Sequence, residues 1–133
     1  MRGVLLIAHG SRRESANREV HALANMLQQK FERSESDVRT VVSSCFLELA
    51  EPCIPTGLSF LIEAGAKHIQ ILPYFLTEGR HVAEDIPSIL NSYLDQQDTN
   101  LDITIEALPY LGSDNRLLDS MMDLLGSTVN VKV

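Results

Sequence analysis

Short, continuous apolar runs alternate along this chain with longer stretches in which apolar positions return every three or four residues. The first run, Val4-Leu5-Leu6-Ile7-Ala8, predicts a strand over 3–9. Val20, Leu23, Ala24, Leu27 and Phe31 then recur at helical spacing and give one apolar face. Ser11-Arg12-Arg13-Glu14 has the form of a capping box, which starts that helix near Ser11, with Ser15 as a competing start. A second strand over 38–47 carries Val38, Val41 and Val42 ahead of Ser43-Ser44-Cys45-Phe46-Leu47, and Glu48 to Pro52 reads as a loop. Pro52 and Pro55 suit the first turn of the next helix, whose stripe is Ile54, Leu58, Leu61 and Ile62 and whose stop is Gly65. A third strand is expected over 68–75. The helix after it starts between Val82 and Pro87, because proline is tolerated only in a first turn. Val82, Ile86, Ile89, Leu90, Tyr93 and Leu94 share its apolar face. A fourth strand over 101–107 leads through Pro109-Tyr110-Leu111-Gly112 into a last helix carrying Leu117, Leu118, Met121, Leu124 and Leu125.

Strands that alternate with helices imply a parallel sheet with right-handed crossovers. Such strands are buried on both faces, which accounts for runs that are apolar throughout rather than alternating. The expected fold class is therefore α/β, a three-layer α/β/α sandwich around a four-stranded, mainly parallel sheet, in one domain spanning 1–133. The strand–helix loops then fall on one edge and gather His9, Ser11, Arg12, Glu48, Glu51, Glu78, Arg80, His81 and Pro109. Ligands of open α/β sheets bind at that carboxyl edge.

Composition narrows the function. The chain has 133 residues, 44% of them hydrophobic, enough for a core of its own. Its net charge of −7 argues against general nucleic-acid binding, which needs a positive footprint. No apolar run is long enough to span a membrane, and the N-terminus enters a strand without the form of a signal peptide, so a cytoplasmic protein is expected. Cys45 and Cys53 form no CxxC motif and read as free thiols, small and buried, with a peripheral role for Cys45 left open.

The candidate chemistry rests on two histidines. Each follows a buried strand and precedes a helix. Gly10 lets the backbone turn sharply after His9, and the helix dipole beyond it favours a neutral imidazole, able to bind metal or accept a proton. A histidine that merely holds a loop carbonyl is the plainer reading. His81 lies among Glu78, Glu84 and Asp85, and carboxylates orient an imidazole. Glu84 falls one turn beyond His81, so it is a further candidate ligand. Asp85 reads instead as an ordinary helix N-terminal acid. Nitrogen and carboxylate donors together suit Co²⁺, Fe²⁺, Ni²⁺ or Zn²⁺. Glu48 and Glu51 are loop acids, one of which reaches the same cavity. His21 and His68 read as structural. The chain has no GxGxxG, P-loop or GxSxG motif.

Three blocks carry a resemblance: Leu6-Ile7-Ala8-His9-Gly10-Ser11-Arg12, Phe46 to Pro52, and Pro73 to Pro87. They resemble the small sirohydrochlorin chelatases, and Leu108 to Arg116 is similar to that family's last strand–helix junction. The resemblance implies a chelatase-like fold and a lyase that inserts Co²⁺, Fe²⁺ or Ni²⁺ into sirohydrochlorin for cobalamin or sirohaem synthesis. The metal is then substrate, and no cofactor is permanently bound. The resemblance carries His9 as metal ligand and proton acceptor and His81 as second ligand. It carries Glu48 and the segment Leu76, Thr77, Glu78, Gly79, Arg80 and His81 as substrate contacts. A homodimer is implied, since short members pair. The tetrapyrrole is polyanionic, so an acidic chain needs a local positive rim, for which Arg12, Arg13 and Arg80 stand ready. The chain lacks the family's histidine-rich stretch and an iron–sulfur cysteine cluster. Two rivals remain: a metal carrier without catalysis, and a histidine phosphotransfer enzyme, disfavoured because Ala8 stands where those enzymes place Arg.

Overall fold

The strands expected from the apolar runs form one sheet, in a computed structural model that describes residues 1–97 and 101–127, with His81 described in its backbone alone. β1 (Arg2–Ala8), β2 (Thr40–Phe46), β3 (His68–Pro73) and β4 (Thr104–Ala107) lie in the order β2-β1-β3-β4, all parallel. β1 is central, with Ile7 opposite Cys45 on one side and Pro73 on the other. The central position explains why Val4 to Ala8 are all buried.

Successive side chains point to opposite faces, which divides the core in two. Leu6, Ala8 and Phe46 pack under Val20 and Ala24 of α1 (Glu14–Arg33). Leu5, Ile7, Ile69 and Ile71 pack under Ile54, Leu58 and Leu61 of α2 (Ile54–Glu63) and Ile86, Leu90 and Tyr93 of α3 (Ile86–Asp95). Helices thus cover both faces, as expected of a three-layer sandwich. Cys45 is a fully buried part of the second cluster, where burial pushes its thiol up, so it is inert packing rather than a site residue.

Several boundaries differ from the expectation, each for a local reason. The capping box does not form: the Ser11 hydroxyl accepts from the Arg13 N–H at 3.0 Å, closing a turn, and α1 begins at Glu14, nearer the competing start. Pro55 occupies the first turn of α2, whereas Pro52 precedes it. β2 is shorter than 38–47, and β4 starts at Thr104 rather than at 101. β3 stops at Pro73, which offers no N–H to continue the ladder. Helix α2 ends as expected, with Gly65 at a φ of 101° just beyond it. The α4 helix (Arg116–Gly126) carries its expected apolar stripe but buries no residue.

Candidate functional site

The order β2-β1-β3-β4 has a switch point at the carboxyl ends of β1 and β3, where the chain leaves toward opposite faces of the sheet. In open α/β sheets that crevice is where ligands bind. Three junctions meet there.

The first follows β1. Gly10 turns the chain at a φ of 98°. A side chain there would collide with the Glu48 carbonyl, so glycine serves both conformation and space. The Asn17 amide grips the turn from α1: its Oδ1 accepts from the Ser11 N–H at 2.9 Å and its Nδ2 donates to the Ser11 carbonyl at 2.7 Å. The only trace of this clamp in the sequence is an amide side chain six residues after Ser11.

The second junction follows β2 and is laced to the first. The Leu47 N–H donates to the Ala8 carbonyl at 3.0 Å, and the Glu48 N–H donates to the His9 carbonyl at 3.1 Å. That lacing brings Glu48 Oε1 to 3.0 Å from His9 Nε2. The His9 Nδ1 lies 3.1 Å from the Gly10 carbonyl oxygen. Both partners are acceptors, and a neutral imidazole has one N–H. Both ring nitrogens thus face acceptors, and the tautomer decides which contact is the hydrogen bond. A metal ion that displaced Glu48 from Nε2 would take that nitrogen without its proton, leaving Nδ1–H on the Gly10 carbonyl to orient the ring. Both side chains are open to the edge, His9 at 42% and Glu48 at 53% exposure.

The third junction follows β3. The Tyr74 N–H donates to the Ile7 carbonyl at 2.8 Å, which starts this segment alongside β1. Leu76, Thr77, Glu78, Gly79 and Arg80 are exposed and run to a single π-helical turn, His81–Asp85, ahead of α3. Pro87 falls in the first turn of α3, as its chemistry demands. The backbone between His81 and Glu84 winds as a π turn, wider than the α-helical spacing expected there. Glu84 is exposed and faces Arg80 at 3.7 Å. The side chain of His81 lies outside the described residues, so its backbone alone is placed, at the switch-point edge. Single-turn π segments recur at functional sites.

His9 and Glu48 are thus brought together, and Leu76 to Arg80 lie at the same edge. Arg12 lines a cavity of about 440 Å³ with Ser11, Asn17, Arg18, His21 and Glu51 on the α1 side. Asp85, read from sequence as an ordinary helix-start acid, is half-buried and shares a cavity of about 190 Å³ with Glu48 and Ser88. His21 is structural: its Nδ1 lies 2.6 Å from the buried Ser44 hydroxyl and its ring meets Phe46 edge-on. His68 pairs with Glu106 at 3.2 Å at the opposite edge. Among the described residues, no three His, Cys, Asp or Glu side chains gather closely enough to hold a metal ion; His9 and Glu48 supply one nitrogen and one carboxylate.

An open parallel sheet with an imidazole–carboxylate pair at its switch point defines an α/β scaffold with a polar ligand-facing edge. Residues 3–128 match the model of the CbiX family, and the chain belongs to that family. It is 33% identical over 121 residues to the chloroplastic sirohydrochlorin ferrochelatase of Arabidopsis thaliana, a match covering 91% of this chain and 50% of that protein. It is 32% identical over 93 residues to the sirohydrochlorin cobaltochelatase of Methanococcus maripaludis, covering 70% of this chain and 60% of the relative. The chain therefore spans about half of the length of these relatives. The sirohydrochlorin chelatase SirB of Bacillus subtilis subspecies spizizenii, solved in complex with cobalt, superposes with a TM-score of 0.77 at 25% identity over 95% of this chain and 50% of that one. A CbiX structure from Marinobacter aquaeolei VT8 shares the fold, with a TM-score of 0.72 and 96% coverage of both chains at 24% identity.

Proposed function

We propose that this protein is a sirohydrochlorin chelatase that inserts Co²⁺ or Fe²⁺ into the tetrapyrrole. The observation that carries the reading is His9 Nε2 at 3.0 Å from Glu48, held at the switch point by paired backbone hydrogen bonds. Insertion requires a dehydrating cation to enter as two pyrrole protons leave. An imidazole whose Nδ1–H is anchored on Gly10 presents Nε2 to the cation, while the adjacent carboxylate takes up one pyrrole proton and solvent water takes the other. His81, carried to the same edge by the β3 junction, serves as the second nitrogen ligand. Leu76 to Arg80 contact the macrocycle, and Arg12 and Arg80 supply positive charge for its carboxylate arms. Relatives named as ferrochelatase and as cobaltochelatase support both metals.

The working unit in this reading is one domain, paired as a homodimer. The apolar stripe of α4, with Leu118, Met121, Met122, Leu124 and Leu125 all exposed, supports an association surface. No helix of the described residues is long and apolar enough to cross a membrane. The free thiols Cys45 and Cys53 suit a reducing, cytoplasmic setting.

The test is metal insertion followed by the visible spectrum of sirohydrochlorin, corrected for the spontaneous reaction. The wild-type chain accelerates the spectral change with Co²⁺ or Fe²⁺. His9→Ala and His81→Ala abolish the acceleration and leave the far-ultraviolet circular dichroism unchanged. Unaltered turnover in both variants removes the two imidazoles from the mechanism. Metal binding without acceleration in the wild type makes the protein a carrier.

A further inference from the structure

The fourth strand–helix junction contributes none of the side chains assigned above, yet it is packed directly onto the segment that follows β3. The Leu108 N–H donates to the Ile71 carbonyl at 2.9 Å, so the chain leaving β4 starts alongside β3. Four residues later the 3₁₀ turn Leu111–Ser113 places the Gly112 N–H on the Phe75 carbonyl at 2.9 Å. Gly112 then lies flat against the next peptide. A β-carbon at position 112 would fall 2.8 Å from Leu76 Cα and closer still to the Leu76 carbonyl. These are backbone atoms, which cannot swing aside as a flexible side chain would. The turn itself is braced: the Ser113 hydroxyl donates to the Tyr110 carbonyl at 2.6 Å, and Asp114 accepts from the Arg116 N–H at 2.8 Å. Leu76, by contrast, is 70% exposed and has little side-chain packing of its own to hold it. Its backbone is therefore located by Gly112 rather than by burial.

We propose that Gly112 is a positioning residue for the tetrapyrrole, resting on the chelatase reading: its amide and its missing side chain set where the Leu76–Arg80 segment starts and so how that segment meets the macrocycle. Displacing Leu76 shifts every residue between it and the π turn. Misplacement by about 1 Å costs on the order of 100-fold in kcat/KM, and a misplaced binding segment takes its share of that loss in KM.

The experiment combines hydrogen exchange on the wild-type chain with kinetics of Gly112→Ala, and uses Gly126→Ala as control, since a methyl at Gly126 meets nothing within 4 Å. In the free wild-type chain, the Gly112 amide is protected to the level of Ile71. Sirohydrochlorin raises its protection together with the amides of 76–80. Gly112→Ala raises KM for sirohydrochlorin about tenfold or more and alters the circular dichroism induced in the bound tetrapyrrole, while Gly126→Ala stays within about twofold. A Gly112 amide that exchanges at loop rates overturns the proposal even if the variant fails to fold. So does a folded Gly112→Ala with unchanged KM and an unchanged induced spectrum. A wild-type chain that neither binds nor metallates sirohydrochlorin defeats the chelatase reading instead; exchange at Gly112 in the free chain then still judges the clamp.

Discussion

Replacing Gly10 by Ala perturbs the His9–Glu48 pair without touching either side chain. The backbone there has a φ of 98°, a region costing an L residue about 1–2 kcal/mol. The added methyl collides with the Glu48 carbonyl, lies 3.0 Å from the Glu48 carbonyl carbon and reaches within 3.3 Å of Phe46 Cβ. Phe46 is buried and Glu48 is hydrogen-bonded through its N–H to His9, so relief means parting the two junctions, an overpacking cost of about 1–3 kcal/mol. The sum, about 2–5 kcal/mol, lowers Tm by roughly 6–15 °C at roughly 3 °C per kcal/mol. Retreat of Glu48 by about 1 Å also lowers the metal-insertion rate by about 100-fold at temperatures where the variant is folded. A thermal melt and initial rates of Co²⁺ insertion read both effects. An alanine variant that melts within about 2 °C of the wild type and turns over within about twofold refutes the argument that backbone packing at Gly10 holds the site.

Leu58→Ala, at a side chain with no exposure between α2 and the sheet, destabilises by about 2–5 kcal/mol in denaturant titration while leaving metal affinity of the folded fraction unchanged. The Asp114 carboxyl is lowered from 3.8 to about 2, chiefly by its hydrogen bonds from the Arg116 side chain and backbone. A group depressed in the folded state contributes stability that is complete above 3.8 and is lost as pH falls through about 2. Carbon-detected NMR titration should place the Asp114 midpoint near 2, and Asp114→Asn should remove that acid-dependent component; a midpoint at the ordinary value would show that the Arg116 contact does not persist in solution.

Much of this fold was legible because burial on both faces leaves a simple trace. Val4 to Ala8 could only be an interior parallel strand, and Pro87 could only stand in a first helical turn. The alternation of strands and helices by itself puts His9, Glu48 and His81 on one edge. What escaped was set by groups that leave no periodic signal. Ser11 looked like a helix cap, but the turn imposed by Gly10 and held by Asn17 directs its hydroxyl to Arg13 instead. The α-helical spacing read between His81 and Glu84 gives way to a π turn, a local widening that the sequence does not announce. Asp85 stands at the start of α3 as its type predicts, and only the approach of α3 to the β2 junction gives it a share of the cavity that Glu48 lines. The role of Gly112 depends on contact between two loops 36 residues apart, which no local pattern encodes.

The central claim is that His9 and His81 share a single ion, and cobalt X-ray absorption on the folded chain tests it most directly. The account predicts two imidazole ligands in the wild-type protein, one in His9→Ala and one in His81→Ala, with weaker binding in each. A cobalt site whose imidazole count is unchanged by either substitution would contradict it.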